Sequence, residues 1–161
     1  MYAVIVVILI GNMMVSNLSA FLPLFVASNN WTVTSDGTDT ALSDNDISLI
    51  LAAFSVAQVI FSPFNSLIKN WLGTKNTIVI GLILVMISTG GLGAIAIIMN
   101  GNQFRYIALG LRFIQGAGDI MLQITCYGVI CQLFTDDIMK YIGYIEISVG
   151  VGNGLGPFLG G

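Results

Sequence analysis

Hydrophobic and polar positions along this chain do not alternate; they fall into long apolar runs separated by short clusters of charge. Met1–Ser35 carries no charged side chain, and neither do Ile47–Ile68, Asn76–Phe104 and Tyr106–Leu111. A helix that crosses a bilayer needs about 20 apolar residues. The runs therefore predict five spanning helices, over 3–27, 47–68, 77–99, 104–133 and 139–161, with one long outer loop at 28–46 and three short connections. The first run is not a secretory signal. No Lys or Arg precedes it, and it is longer than the about 7–15 residues of a signal's apolar region. The expected fold class is an all-α membrane protein.

Composition agrees. Hydrophobic residues make up 56% of the 161 and charged residues 8%, against roughly 25% charged in soluble domains. The few charges suggest an orientation. Lys69, Lys75 and Lys140 fall at the second and fourth connections, while the first carries Asp36, Asp39, Asp44 and Asp46 and the third only Arg105. Lysine and arginine favour the cytoplasmic side, which places the amino terminus and the lysine-bearing connections inside. Asn30-Trp31-Thr32 is a glycosylation acceptor pattern in the expected outer loop, with Asn30 the acceptor.

Polar side chains inside the runs are spaced to share faces. Arg112, Gln115, Asp119 and Gln123 step by three, four and four residues along the fourth span, which keeps them within about 80° on one side of a helix. Ser55, Gln58, Ser62 and Ser66 repeat this spacing in the second span, and Asn12, Ser16 and Ser19 form a shorter stripe in the first. Three helices with one wet side each predict a shared polar cavity; the competing reading is that such residues only join helices by hydrogen bonds.

Ionisable groups in a bilayer line pathways or pair. Arg112, Asp119 and Glu146 are the candidates. Arg112 and Asp119 lie about 10 Å apart along a helix axis, and one arginine cannot neutralise two carboxylates. Arg112 is expected to hold one acid ionised while the other retains a proton, the minimal part of a proton-coupled carrier. Asp119 is the candidate cation contact, and Glu146 is placed nearer the cytoplasmic mouth. There is no histidine, and Cys126 and Cys131 point about 140° apart. No metal site, cofactor, nucleotide-binding glycine loop or nucleic-acid partner is expected. No cluster of nucleophile and base is visible either, so an enzyme is not expected.

The carboxyl-terminal run, "YIGYIEISVGVGNGLGPFLGG", holds seven glycines. Gly152, Gly156 and Gly160 form one smooth ridge, and Gly150 and Gly154 a second nearly opposite. Both ridges would let neighbouring backbones approach closely. Pro157 removes a backbone donor and collides with the carbonyl of Asn153; lipid tolerates the freed carbonyl only where protein or a cavity covers it. A kinked, closely packed helix is expected.

Gly143, Gly152, Gly156-Pro157 and Gly160-Gly161 resemble the antiporter motif in the fifth helix of the major facilitator superfamily, and "RFIQGAG" (Arg112–Gly118) resembles its fourth-helix motif. The resemblance implies that Arg112 lies in or beside a proton pathway. Gly73 and Lys75 match the superfamily's gating loop, where Ser66, Asn70, Trp71 and Thr74 replace its other glycine, its acid and its two arginines. Those replacements remove the charges on which the family's salt-bridge latch depends. Gly143-x-x-Glu146 and "GNMMVSNLSAFLPLF" are similar to the vesicular amine transporter branch, with Gly11 where amine carriers have an acid.

The resemblance implies a twelve-helix transporter, of which these five helices form an incomplete amino-terminal six-helix bundle. The expected function is secondary active, proton-coupled antiport of a small organic solute such as a cationic amine, in a vesicular, endosomal or plasma membrane. The expected partners are the bilayer, the solute, a proton, and the remainder of the transporter: the sixth helix and the second half. Alone, the chain is expected not to transport. The alternative is a small multi-pass adaptor or assembly protein whose glycines serve helix packing.

Overall fold

A computed structural model gives the protein's fold and describes residues 2–28, 44–98, 101–134 and 137–160. Among these residues there are six α-helices and no strand: α1 (Tyr2–Ser28), α2 (Asp44–Phe61), α3 (Asn65–Leu72), α4 (Thr74–Ile98), α5 (Gly101–Leu133) and α6 (Ile138–Gly160). Four expected spans fall on α1, α4, α5 and α6, with ends moved by no more than three residues. Ser28 and Asp44–Asp46 of the expected outer loop are helical. Asn30 lies outside the described residues, as do Met99 and Gly161.

The second expected span is corrected. Rather than one helix over 47–68, the chain leaves α2 at Phe61, turns through Ser62–Phe64, and resumes as α3 at an angle of 65°. Pro63 is the cause: its nitrogen has no proton for the carbonyl one turn back, and its ring collides with that carbonyl. Tighter bonds replace the missing one, from the Phe64 amide to Phe61 (3.1 Å) and from the Asn65 amide to Ser62 (3.3 Å). At its other end α3 meets α4 through one residue, Gly73, whose φ of 79° is a conformation that favours glycine.

Two packing groups follow. α1 lies along α6, and α5 lies between α2 and α4. At 33 residues α5 is the longest helix, about 50 Å at 1.5 Å per residue. Ile50, Leu92, Phe104 and Ala108 join α2, α4 and α5 at one end. Ile8, Cys126, Ile130 and Ile145 join α1, α5 and α6 at the other. Between these apolar clusters α5 buries Arg112, Gln115, Asp119 and Thr125. The polar stripe thus occupies the middle of the bundle. Among the described residues α4 is long and apolar enough to cross a membrane alone, over Thr74–Ile95, and the bent pair α2–α3 qualifies when taken together.

Candidate functional site

Glycine brings the polar side chains into reach of one another. A Cβ on Gly116 would strike the carbonyl of Phe54 and lie 3.0 Å from Ala57, so only glycine lets α2 come this close to α5. On the other flank a Cβ on Gly118 would sit 2.8 Å from Leu84 Cβ and 2.9 Å from the Gly81 carbonyl of α4. With both neighbours drawn in, Gln58 of α2 and Thr89 of α4 reach the stripe on α5.

Asp119, 3% exposed, accepts two hydrogen bonds on Oδ2, from Gln58 Nε2 at 2.8 Å and from Gln123 Nε2 at 2.7 Å. A groove of about 420 Å³ lies beside it, lined by Gln58, Val59, Ser62, Pro63 and Ile120. Arg112, the largest fully buried side chain among the described residues, donates from Nη1 to Gln115 Oε1 at 3.2 Å. Gln115 in turn donates to Thr89 Oγ1 at 3.1 Å, and Thr89 donates to the Val85 carbonyl at 2.8 Å. The guanidinium lies 5.9 Å from the Phe54 ring centroid, within cation–π range. Its Nε and Nη2 have no partner among the described residues. The expectation that Arg112 holds a carboxylate is therefore corrected. Arg112 and Asp119 are seven positions, about two turns, apart on α5, and glutamines one turn away or across the interface meet the acid instead.

The remaining candidates lie elsewhere. Asn12 is buried and donates to its own helix, to the Ile8 carbonyl at 2.9 Å; it faces Gly152 at the α1–α6 contact rather than the α5 stripe. Glu146 is exposed and accepts a hydrogen bond from Tyr127 Oη, joining α6 to α5. The glycine ridge that meets a neighbour is Gly152–Gly156. Cβ atoms there would lie 2.8 Å from the Leu9 carbonyl, and 2.7 Å from both the Asn17 nitrogen and Ser16 Cβ. The second ridge meets no neighbour among the described residues: Gly150 and Gly154, like Gly143, have no described atom within 4 Å of that position. Gly160 ends α6 and Gly161 lies outside the described residues.

Pro157 sits inside α6, and Ser16 Oγ donates to the Asn153 carbonyl at 2.8 Å. The bond that proline removes is thus replaced from α1. Gly73 joins α3 to α4, and Lys75 is exposed in the first turn of α4. Among the described residues no group of His, Cys, Asp and Glu is placed to hold a metal.

Sequence reasoning missed Thr89, Phe54 and Tyr127. Spacing within one helix carries no signal for a partner on another. The pairing of Gly116 with α2 and Gly118 with α4 did have a signal, two glycines flanking Ala117 beside the polar stripe.

Comparison with known proteins bears on this arrangement. The family described as Major Facilitator Superfamily matches residues 4–161. Quinolone resistance proteins NorA from Staphylococcus aureus strains Mu50 / ATCC 700699, N315 and MW2 are each 34% identical over 126 residues, which is 76% of this chain and 30% of each relative. The chain thus spans about a third of the length of the curated relatives it matches. No solved structure matches it. With the family match running through all six helices, from α1 to the glycine helix α6, the chain is an integral membrane protein that belongs to the Major Facilitator Superfamily of transporters.

Proposed function

We propose that the full-length protein is a secondary active transporter that exchanges protons for a small organic solute across its membrane. Its helices α1, α2, α4, α5 and α6 supply five crossings, with the lysine-bearing α3–α4 and α5–α6 connections on the cytoplasmic side. Asp119 carries this reading. It is a carboxylate buried between two helices, bonded only to neutral amides, beside a groove of a size that suits small organic ligands. Both amides converge on Oδ2, so Oδ1 has no hydrogen bond to a described residue. That oxygen is available either to a proton or to a donor on a cationic solute, and alternation between the two couples their fluxes. Arg112, fixed by Gln115 and Phe54, supplies a positive field two turns away.

A cationic amine is the first solute class to test. The Gly143–Glu146 lead-in and Asn12-Met13 support a vesicular amine-like carrier, in which a vesicular or endosomal membrane would be the location. The name of the relatives adds quinolones as a second class, with a plasma-membrane location. The test is uptake of labelled amines, polyamines and a quinolone into proteoliposomes of the full-length protein under an imposed pH gradient. Asp119→Asn is expected to abolish gradient-driven uptake while leaving binding or exchange measurable. Wild-type uptake that ignores the gradient, or uptake that survives both Asp119→Asn and Glu146→Gln, overturns the proposal.

A further inference from the structure

Helix α3 presents three different faces. At 100° per residue, Asn65 and Lys69 lie together, Ser66 and Asn70 lie together, and Phe64, Leu67 and Trp71 form a third side. Asn65 is 1% exposed, and Lys69 Nζ lies 3.1 Å from the position of a Cβ on Gly128 of α5, so the first face is turned to the bundle. Ser66 and Asn70 are exposed and polar. Phe64, Leu67 and Trp71 are exposed and apolar, Trp71 at 91%, beside a groove of about 310 Å³ lined by Leu67, Ile68, Trp71 and Leu72.

A two-sided helix would suit either the core or the surface of a bundle. Three sides match three surroundings: protein, water and lipid. The 65° bend after α2 turns this helix away from the direction of the span that precedes it. Tryptophan with an apolar body and a polar tip concentrates at membrane–water boundaries. The whole stretch from Ser62 to Asn76 holds two lysines and no acid, a charge that complements anionic headgroups.

We propose that α3 lies in the headgroup layer of the membrane, with Phe64, Leu67 and Trp71 in the acyl boundary and Lys69 and Lys75 drawing anionic phospholipid to it. The lipid holds the outer side of α3 as α4 and α5 hold its inner side. Amphipathic helices bind such surfaces through buried apolar area together with attraction to anionic lipid, so both parts are separable by experiment.

The full-length protein is placed in vesicles of phosphatidylcholine, with or without phosphatidylglycerol. The difference in emission between wild type and Trp71→Phe isolates the Trp71 signal. A nitroxide near the top of the acyl chain is expected to quench that signal about twofold more than one near the chain end or aqueous iodide, the depth of an interfacial helix. Phosphatidylglycerol should strengthen the shallow quenching, and Lys75→Gln, alone or with Lys69→Gln, should reduce that increment. Asn70→Cys should react with a water-soluble maleimide in the same vesicles. Quenching chiefly by iodide would place the apolar face in water and overturn the proposal. Protection from every quencher would show that protein covers this face and overturn it as well. Shallow quenching that is indifferent to lipid charge would overturn the role of the lysines.

Discussion

Between α1 and α6 glycine meets backbone, whereas around α5 glycine makes room for side chains to meet one another. Gly152 and Gly156 fit against carbonyls and nitrogens of α1, and the polar groups there bond to backbone: Asn12 to the Ile8 carbonyl of its own helix, and Ser16 across the contact to the Asn153 carbonyl that Pro157 leaves free. Gly116 and Gly118 bring α2 and α4 to α5, and the polar groups answer across helices, Gln58 to Asp119 and Gln115 to Thr89. The first contact is closed. Among the described residues the second leaves Arg112 Nε and Nη2 without a partner, and both bonds to Asp119 fall on Oδ2. Close packing is shared by both groups; chemistry left available to a ligand belongs to one.

The sharpest test of that contrast sets Gly156→Leu against Gly154→Leu. The two glycines are two residues apart on one helix, but only Gly156 abuts α1. Gly156→Leu is expected to lower stability in detergent by about 3 kcal/mol, the upper end of overpacking costs, and to abolish transport. Gly154→Leu should stay within about 0.5 kcal/mol of wild type, as surface substitutions do. Equal losses in a denaturant titration would erase the distinction between the ridges.

A smaller effect is expected at Ser16. Ser16→Ala leaves the Asn153 carbonyl without its donor and should cost roughly 0.6–1.7 kcal/mol, the range of interhelical hydrogen bonds in membranes. In a Pro157→Ala background the backbone amide at position 157 returns, and the same substitution should cost close to nothing. A cost unchanged by the background would detach the serine from the proline. Smallest of all is Tyr127→Phe, which removes the hydroxyl linking α5 to Glu146 of α6. The link is partly solvated, so a loss of no more than about 0.6 kcal/mol is expected in the same titration. A much larger loss would mean that the two helix groups depend on this joint.

Much of the scaffold was legible from charge-free runs, because apolar length is what a bilayer selects. The ridge spacing of Gly152 and Gly156 was legible for the same kind of reason: a period of four names one helix face. Which face has a neighbour is a tertiary fact, so Gly150 and Gly154 looked equivalent. Pro63 was a signal passed over within an apolar run. At the site, spacing placed Arg112, Gln115 and Asp119 on one side of α5, and the structure buries all three. Charge alone suggested arginine as the partner of the acid. The distance along the helix and the register of α2, which sets Gln58 against Asp119, decided otherwise.

Gly73 gives α3 a mechanical role as well as a position. Its amide is bonded to the Lys69 carbonyl at 2.9 Å, and its own carbonyl receives both the amide and the hydroxyl of Thr77, at 3.1 and 2.9 Å. A single-residue elbow clamped on both sides has little freedom to bend, while the turn at Ser62–Phe64 lacks one bond of the helical ladder. Compliance is thus concentrated upstream of α3 and stiffness downstream. A tilt of α4 would therefore carry α3 with it as the short arm of a crank and load the turn at Pro63.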